Sequence, residues 1–167
     1  GHLIGAQPQM RGQAWSLRSI SDAAFATPDS DPMKAYFTDQ VSAIVADYNA
    51  TYVDSKAFNP LRVIADYGVV IYPLNGKTRV GIGPWQADFF LWAVGHAAEQ
   101  DTPGAARLQA WLSKFQISRM IGWEADPKAG FCWLQASGYS MQIRESQNAP
   151  MFADMAEVYR RSFPDVA

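Results

Sequence analysis

The side chains between Trp85 and Glu99 carry most of the chemistry this sequence offers. In GIGPWQADFFLWAVGHAAE (81–99), Trp85, Phe89, Trp92, His96 and Glu99 recur at helical spacing, and Asp88, Trp92, Gly95 and Glu99 trace an adjoining line. One helix face then presents indoles, an imidazole and an acid near each end. Indole faces stack on the apolar C–H surfaces of sugar rings, carboxylates accept from sugar hydroxyls, and two carboxyl groups at the right separation cleave a glycosidic bond. Asp88 is therefore the catalytic candidate. Trp85, Trp92, His96 and, from the following segment, Trp123 are candidate saccharide contacts. Asp88 and Glu99 cannot be the catalytic pair, because their spacing in sequence puts them about 16 Å apart along a helix. Asp126, Glu124 and Asp22 are the alternatives for a second carboxylate.

Each of these residues also has a plainer reading. Trp and Phe at helical spacing build cores, Asp88 near a helix start is favoured by the helix dipole, and a lone His96 is commonly a hydrogen-bonded structural residue. Arg18 and Asp22 form an i,i+4 pair that is either a surface contact or, with Trp15 beside it, the lining of a polar pocket. Arg119, near the end of a helix, is expected to cap its last carbonyls, with a ligand contact as the other option.

Other chemistries lack their signatures. The sequence has no P-loop, GxGxxG, GxSxG or HExxH. Cys132, the one cysteine, lies between Phe131 and Trp133 as an inert, buried thiol is expected to. With only two histidines, one of them His2, no zinc-ligand spacing exists, so neither metal nor cofactor is expected. A formal net charge of −2, with 14 Lys and Arg scattered along the chain, argues against nucleic acid. The longest apolar run, Phe89 to Ala98, is far short of the roughly 18 residues a membrane helix needs, so no membrane partner is expected.

The elements that position these residues follow from periodicity and punctuation. At 49% hydrophobic residues the chain can build a sizeable core, expected as a single helical domain over 11–167 after a lead-in over 1–10. Gly-His-Leu at the start reads as an expression scar on a piece of a longer protein. Ala14, Leu17, Ser21 and Ala24 share one helical face over Gly12–Thr27. Asp31 caps a second helix with Pro32 at its first position, and Phe37, Val41, Ile44, Tyr48 and Tyr52 run along it as an apolar stripe until Asn59-Pro60. Val69–Tyr72 and Arg79–Ile82 flank Asn75-Gly76 as a short β-hairpin, with Pro73 confining its strand to an edge or a bulge. The helix from Pro84 runs to Gln100. Asp101-Thr102-Pro103 caps the next, which buries Leu108, Trp111, Leu112 and Phe115, and the two make an antiparallel hairpin. Trp123–Gly130 is expected as a loop, Phe131–Ser137 as a short helix and Pro150–Phe163 as the last helix.

Two stretches, RGQAWSLR (11–18) and GPWQADFF (83–90), resemble the helix starts of bacterial (α/α)-toroid, six-hairpin glycosidase-like proteins. The class includes glycoside hydrolases and polysaccharide lyases with aromatic-lined grooves, and the likeness covers about half the chain. The elements read above make a mainly α fold of helical hairpins, five to six helices with a small β-hairpin, about half of the twelve or so helices of a complete toroid, so the resemblance implies either part of an (α/α) toroid or an unrelated helical bundle. It also implies groove roles for Trp85 and Asp88. The expected function is carbohydrate binding or carbohydrate-active chemistry, with saccharide as partner. The alternative is a non-enzymatic assembly module, from a phage or a surface protein, whose aromatic faces pack on a second copy or on the rest of a larger parent chain.

Overall fold

The computed structural model describes residues 9–64, 69–74, 77–125, 134 and 137–164. Asp126, Cys132 and most of the short helix expected over Phe131–Ser137 lie outside them, as do the side chains of Trp123 and Glu124. The fold is mainly helical with a small antiparallel sheet: α1 (Met10–Ala26), α2 (Met33–Tyr48), β1 (Val69–Leu74), β2 (Lys77–Ile82), α3 (Pro84–Glu99), α4 (Ala105–Ala125), β3 (Met141–Arg144) and α5 (Met155–Ser162). Among the described residues no helix is long and apolar enough to cross a membrane. The chain divides into two compact units, one holding residues up to Lys56 with Phe89–Leu112, the other Ala57–Asp88 with Ser113 onward.

In the first unit, α1 buries Ala14, Leu17, Ser21 and Ala24, the face the periodicity predicts. It stops at Thr27, whose backbone N–H and Oγ1 both donate to the Ala23 carbonyl before Pro28 turns the chain away. Asp31 caps α2 as expected: its Oδ1 accepts from Met33 N at 2.8 Å, and Pro32 supplies a preset φ of −60°. The α2 stripe buries Val41, Ile44 and Tyr48, while Phe37 and Tyr52 are half-buried. Beyond Tyr48 the helix widens into one π-turn, Asn49–Val53. There the buried Asn49 donates to the carbonyls of Val45 and Gly104. Gly104 has a φ of +79°, and a Cβ there would stand 3.1 Å from Asn49 Nδ2, so glycine fits on both counts. Gly95 on α3 is similarly tight, its absent Cβ falling 2.8 Å from Gln109 Nε2 on α4. Leu17, Val45, Phe90, Val94, Ala97 and Leu108 are fully buried in this unit.

In the second unit the sheet order is β1-β2-β3, antiparallel throughout. The expected hairpin is present in the register Val69↔Ile82 to Leu74↔Lys77, and Pro73 sits on edge strand β1. β3 is an addition to the sequence reading; it pairs with β2 through a register shift at Val80/Gly81. Leu61, Val63, Ile82, Phe115, Met141, Ile143, Phe152, Val158 and Tyr159 form one core cluster beside it. Two boundaries are corrected. α4 continues through Trp123 to Ala125 where a loop was expected, Gly122 being tolerated inside the helix. α5 starts at Met155 rather than Pro150, because Asp154 takes the cap and its side chain accepts from Glu157 N at 2.8 Å.

Candidate functional site

Two stripes with matching spacing meet in the first unit. On α1, Trp15, Arg18 and Asp22 follow steps of three and four; on α3, Phe89, Trp92, His96 and Glu99 follow three, four and three. The α3 rings run nearly parallel along the helix, Phe89 to Trp92 at 5.8 Å and 21°, Trp92 to His96 at 6.1 Å and 13°. Trp15 meets Phe89 edge-on at 4.9 Å. The Arg18 guanidinium lies over both indoles, 4.8 Å from the Trp92 ring and 5.6 Å from that of Trp15. A cation on an indole at an exposed site contributes about 0.5–1 kcal/mol, so this ladder orders Arg18 while leaving its outer edge in water. Both indoles are about half exposed, Trp15 at 54% and Trp92 at 51%.

The ladder ends in a polar cluster. His96 Nε2 stands 2.6 Å from Asp22 Oδ1, Nδ1 lies 4.0 Å from Glu99 Oε2, and Arg18 Nε lies 3.6 Å from Asp22 Oδ2. A carboxylate only accepts, so Nε2 carries the proton in the Asp22 bond. Gln100 Nε2, 3.0 Å from the same ring nitrogen, cannot donate to a nitrogen that is itself a donor. Gln100 Oε1 accepts from the Ser21 hydroxyl, which holds the carboxamide beside the imidazole. Imidazole and carboxylate are thereby locked in one arrangement. Their chemistry is that of a hydroxyl-binding pair: Asp22 keeps free lone pairs, and Glu99 is largely in water.

The candidates from the second unit have other surroundings. Asp88 stands just past the first turn of α3 and accepts from Arg119 Nη2 on both oxygens, at 2.8 and 2.9 Å. Arg119, expected to cap the end of its helix, instead reaches this acid, because α4 runs past it to Ala125 and leaves no free carbonyls there. Its side chain is 2% exposed, stacks 5.4 Å from the Phe115 ring, and among the described residues has no hydrogen-bond partner on Nε or Nη1. Asp88 thus balances a buried cation. Trp85 is half-buried and lies 6.0 Å from the exposed Tyr139 ring. Trp123 falls within α4.

The structure therefore groups Trp92, His96 and Glu99 with Trp15, Arg18 and Asp22. Among the described residues no group of His, Cys, Asp and Glu is placed to hold a metal. The α1 partners were visible individually in the sequence, and the signal that could have joined them to α3 is the shared three-and-four spacing of the two stripes. No protein-family model, no curated protein and no solved structure matches this chain.

Proposed function

We propose that this chain is a saccharide-binding helical domain whose binding face is the Trp15–Arg18–Trp92 ladder with Asp22, His96 and Glu99 at its end. The observation that carries the reading is that two half-exposed indoles share one guanidinium beside an acid–imidazole pair. A sugar ring offers an apolar C–H face to an indole and hydroxyls to flanking groups, so it uses both kinds of surface at once. Arg18 donates to hydroxyl oxygens; Asp22 and Glu99 accept from hydroxyl hydrogens. The bond from His96 to Asp22 keeps that carboxylate in place without closing its remaining lone pairs. The toroid-like starts of α1 and α3, which open these two stripes, support the same class of ligand. The reading is one of binding: Asp88, with both oxygens engaged by Arg119, is left outside the ligand set.

The test is a titration of tryptophan fluorescence with neutral and acidic oligosaccharides on the parent, Trp92→Ala and Asp22→Asn. Saturable quenching by one of them that Trp92→Ala abolishes and Asp22→Asn weakens is the expected result. A flat response of the folded parent across the panel would overturn the reading.

One observation favours an assembly module as a second reading. Ile117, Met120 and Ile121 on α4 are 54%, 41% and 45% exposed at i, i+3 and i+4 spacing, an apolar strip of the kind that partners cover. Sedimentation of the parent against Met120→Glu separates the readings, since loss of self-association in the variant is expected only of the module.

A further inference from the structure

At the end of the ladder four side chains stand in a row. Arg18 Nε lies 3.6 Å from Asp22 Oδ2, His96 Nε2 donates to Asp22 Oδ1 at 2.6 Å, and His96 Nδ1 lies 4.0 Å from Glu99 Oε2. Arg18 and Asp22 offset one another. Glu99 faces only the imidazole among the described residues, so its end of the row carries a negative charge with no counter-charge. That end is open to solvent, His96 being 31% and Glu99 82% exposed.

A neutral imidazole holds one proton, and Asp22 fixes it on Nε2 because a carboxylate only accepts. Nδ1 therefore presents a lone pair to a second acceptor, Glu99 Oε2, and the two cannot bond to each other. Neither atom has a hydrogen bond among the described residues, since the bonds of His96 all run to Nε2. Two acceptors at this separation fit one nitrogen between them. An atom about 2.9 Å from each sees them roughly 90° apart, which two N–H bonds of one amine span with a bend of about 10° apiece. A hydroxyl has one hydrogen and an acetamido group one N–H, so either serves one acceptor and leaves the other unserved. An amine serves both, and as an ammonium it also offsets Glu99. Water donates to both without the charge, and an amine that displaces it keeps its bonds.

The pair of acceptors adjoins an indole. The Trp92 and His96 rings are 6.1 Å apart and 13° from parallel. A pyranose laid on Trp92 carries its equatorial substituents at its rim, and the His96–Glu99 gap lies one ring spacing away. Resting on the saccharide reading, we infer that this face selects an amino sugar, whose amino group donates to His96 Nδ1 and Glu99 Oε2 while its pyranose lies on Trp92.

The test titrates the whole chain at neutral pH with three β-1,4-linked oligomers of equal length that differ only at C2: glucose, N-acetylglucosamine and glucosamine. Tryptophan fluorescence gives the affinities, and the imidazole ¹⁵N signals report on His96. In the free chain Nδ1 is expected to be unprotonated, and only the glucosamine oligomer is expected to move its signal. That oligomer is expected to bind about three- to tenfold more tightly than the other two, the scale of a charge-assisted hydrogen bond partly in water. Glu99→Gln is expected to bring the three affinities together. Asp39→Asn, which removes the same charge from an exposed position on α2, is expected to keep the preference. A preference that survives Glu99→Gln, or that Asp39→Asn removes as well, would mark a general attraction of cations and overturn the inference. Nδ1 protonated in the free chain would also overturn it. A glucose oligomer bound as tightly as the glucosamine one would overturn it and leave the saccharide reading standing, whereas no saturable response to any of the three would overturn both.

Discussion

Replacing Asp88 with alanine tests what this acid does. Its partner Arg119 is 2% exposed, and two of its three guanidinium nitrogens already lack hydrogen bonds among the described residues. Without Asp88 a buried cation has no counter-charge, a change that costs about 3–5 kcal/mol when a buried pair loses one member. The Asp88 side chain is 44% exposed, so water enters the space it leaves, and the lower end, about 3 kcal/mol, is the expected loss. For a chain of this length that corresponds to a fall in Tm of roughly 6–12 °C. Arg119→Met removes the cation and its orphaned donors and returns Asp88 to water, so its cost is expected within about 1 kcal/mol of zero. The double variant should match Arg119→Met, giving a coupling energy of about 3 kcal/mol, the full cost of Asp88→Ala. Urea unfolding followed by circular dichroism reads all four proteins. Asp88→Ala within about 0.5 kcal/mol of the parent, or Arg119→Met as costly as Asp88→Ala, would refute the reasoning. If the prediction holds, any activity lost in Asp88→Ala is explained by the fold before catalysis is invoked.

Arg18→Ala is expected to destabilise by about 0.5–1 kcal/mol through loss of its contact with the indoles, and to shift tryptophan emission; Arg18→Lys should restore only part of either, since an ammonium lacks the planar fork. Asp101 closes α3 with a left-handed φ of +57°, its N–H donating to the Ala98 carbonyl, so Asp101→Gly should raise stability by about 1 kcal/mol, measured by urea midpoint, because that corner then carries no Cβ penalty. Hydrogen bonding from Arg107, aided by its charge and opposed by desolvation, holds the Asp54 carboxyl below the ordinary aspartate range. With its folded pKa depressed, Asp54 contributes stability above its unfolded pKa of about 3.9 and loses it as pH falls through the lower folded value. A carboxyl ¹³C titration should place the Asp54 midpoint below that value, and Arg107→Ala should return it there.

Most of the helices were legible because each carries its own punctuation: Asp31-Pro32 opens α2, Thr27-Pro28 closes α1, and the Phe37–Tyr52 stripe marks the buried face. The β1–β2 hairpin was legible from the Asn75-Gly76 pair between Val69–Tyr72 and Arg79–Ile82. β3 was not, because four residues, Met141–Arg144, acquire strand geometry only from β2 beside them. The run of α4 through Gly122 was missed for a related reason: local propensity argues for a stop there, and Phe115 and Arg119, buried on the preceding turns, hold the helix in place. In the site, helical spacing predicted that Trp92, His96 and Glu99 share a face. Nothing local could reveal that Asp22 meets His96 across 74 residues, or that Asp88 answers to Arg119. Such pairings are set by helix docking, which the spacing of a single helix does not encode.

The central claim is tested most directly by the indole N–H resonances of the ¹⁵N-labelled chain during titration with the oligosaccharide that quenches its fluorescence. Shifts of the Trp15 and Trp92 indoles, with Trp111 unmoved where it packs against Tyr52, are the predicted result. Saturable binding that leaves both Trp15 and Trp92 unmoved would contradict the account.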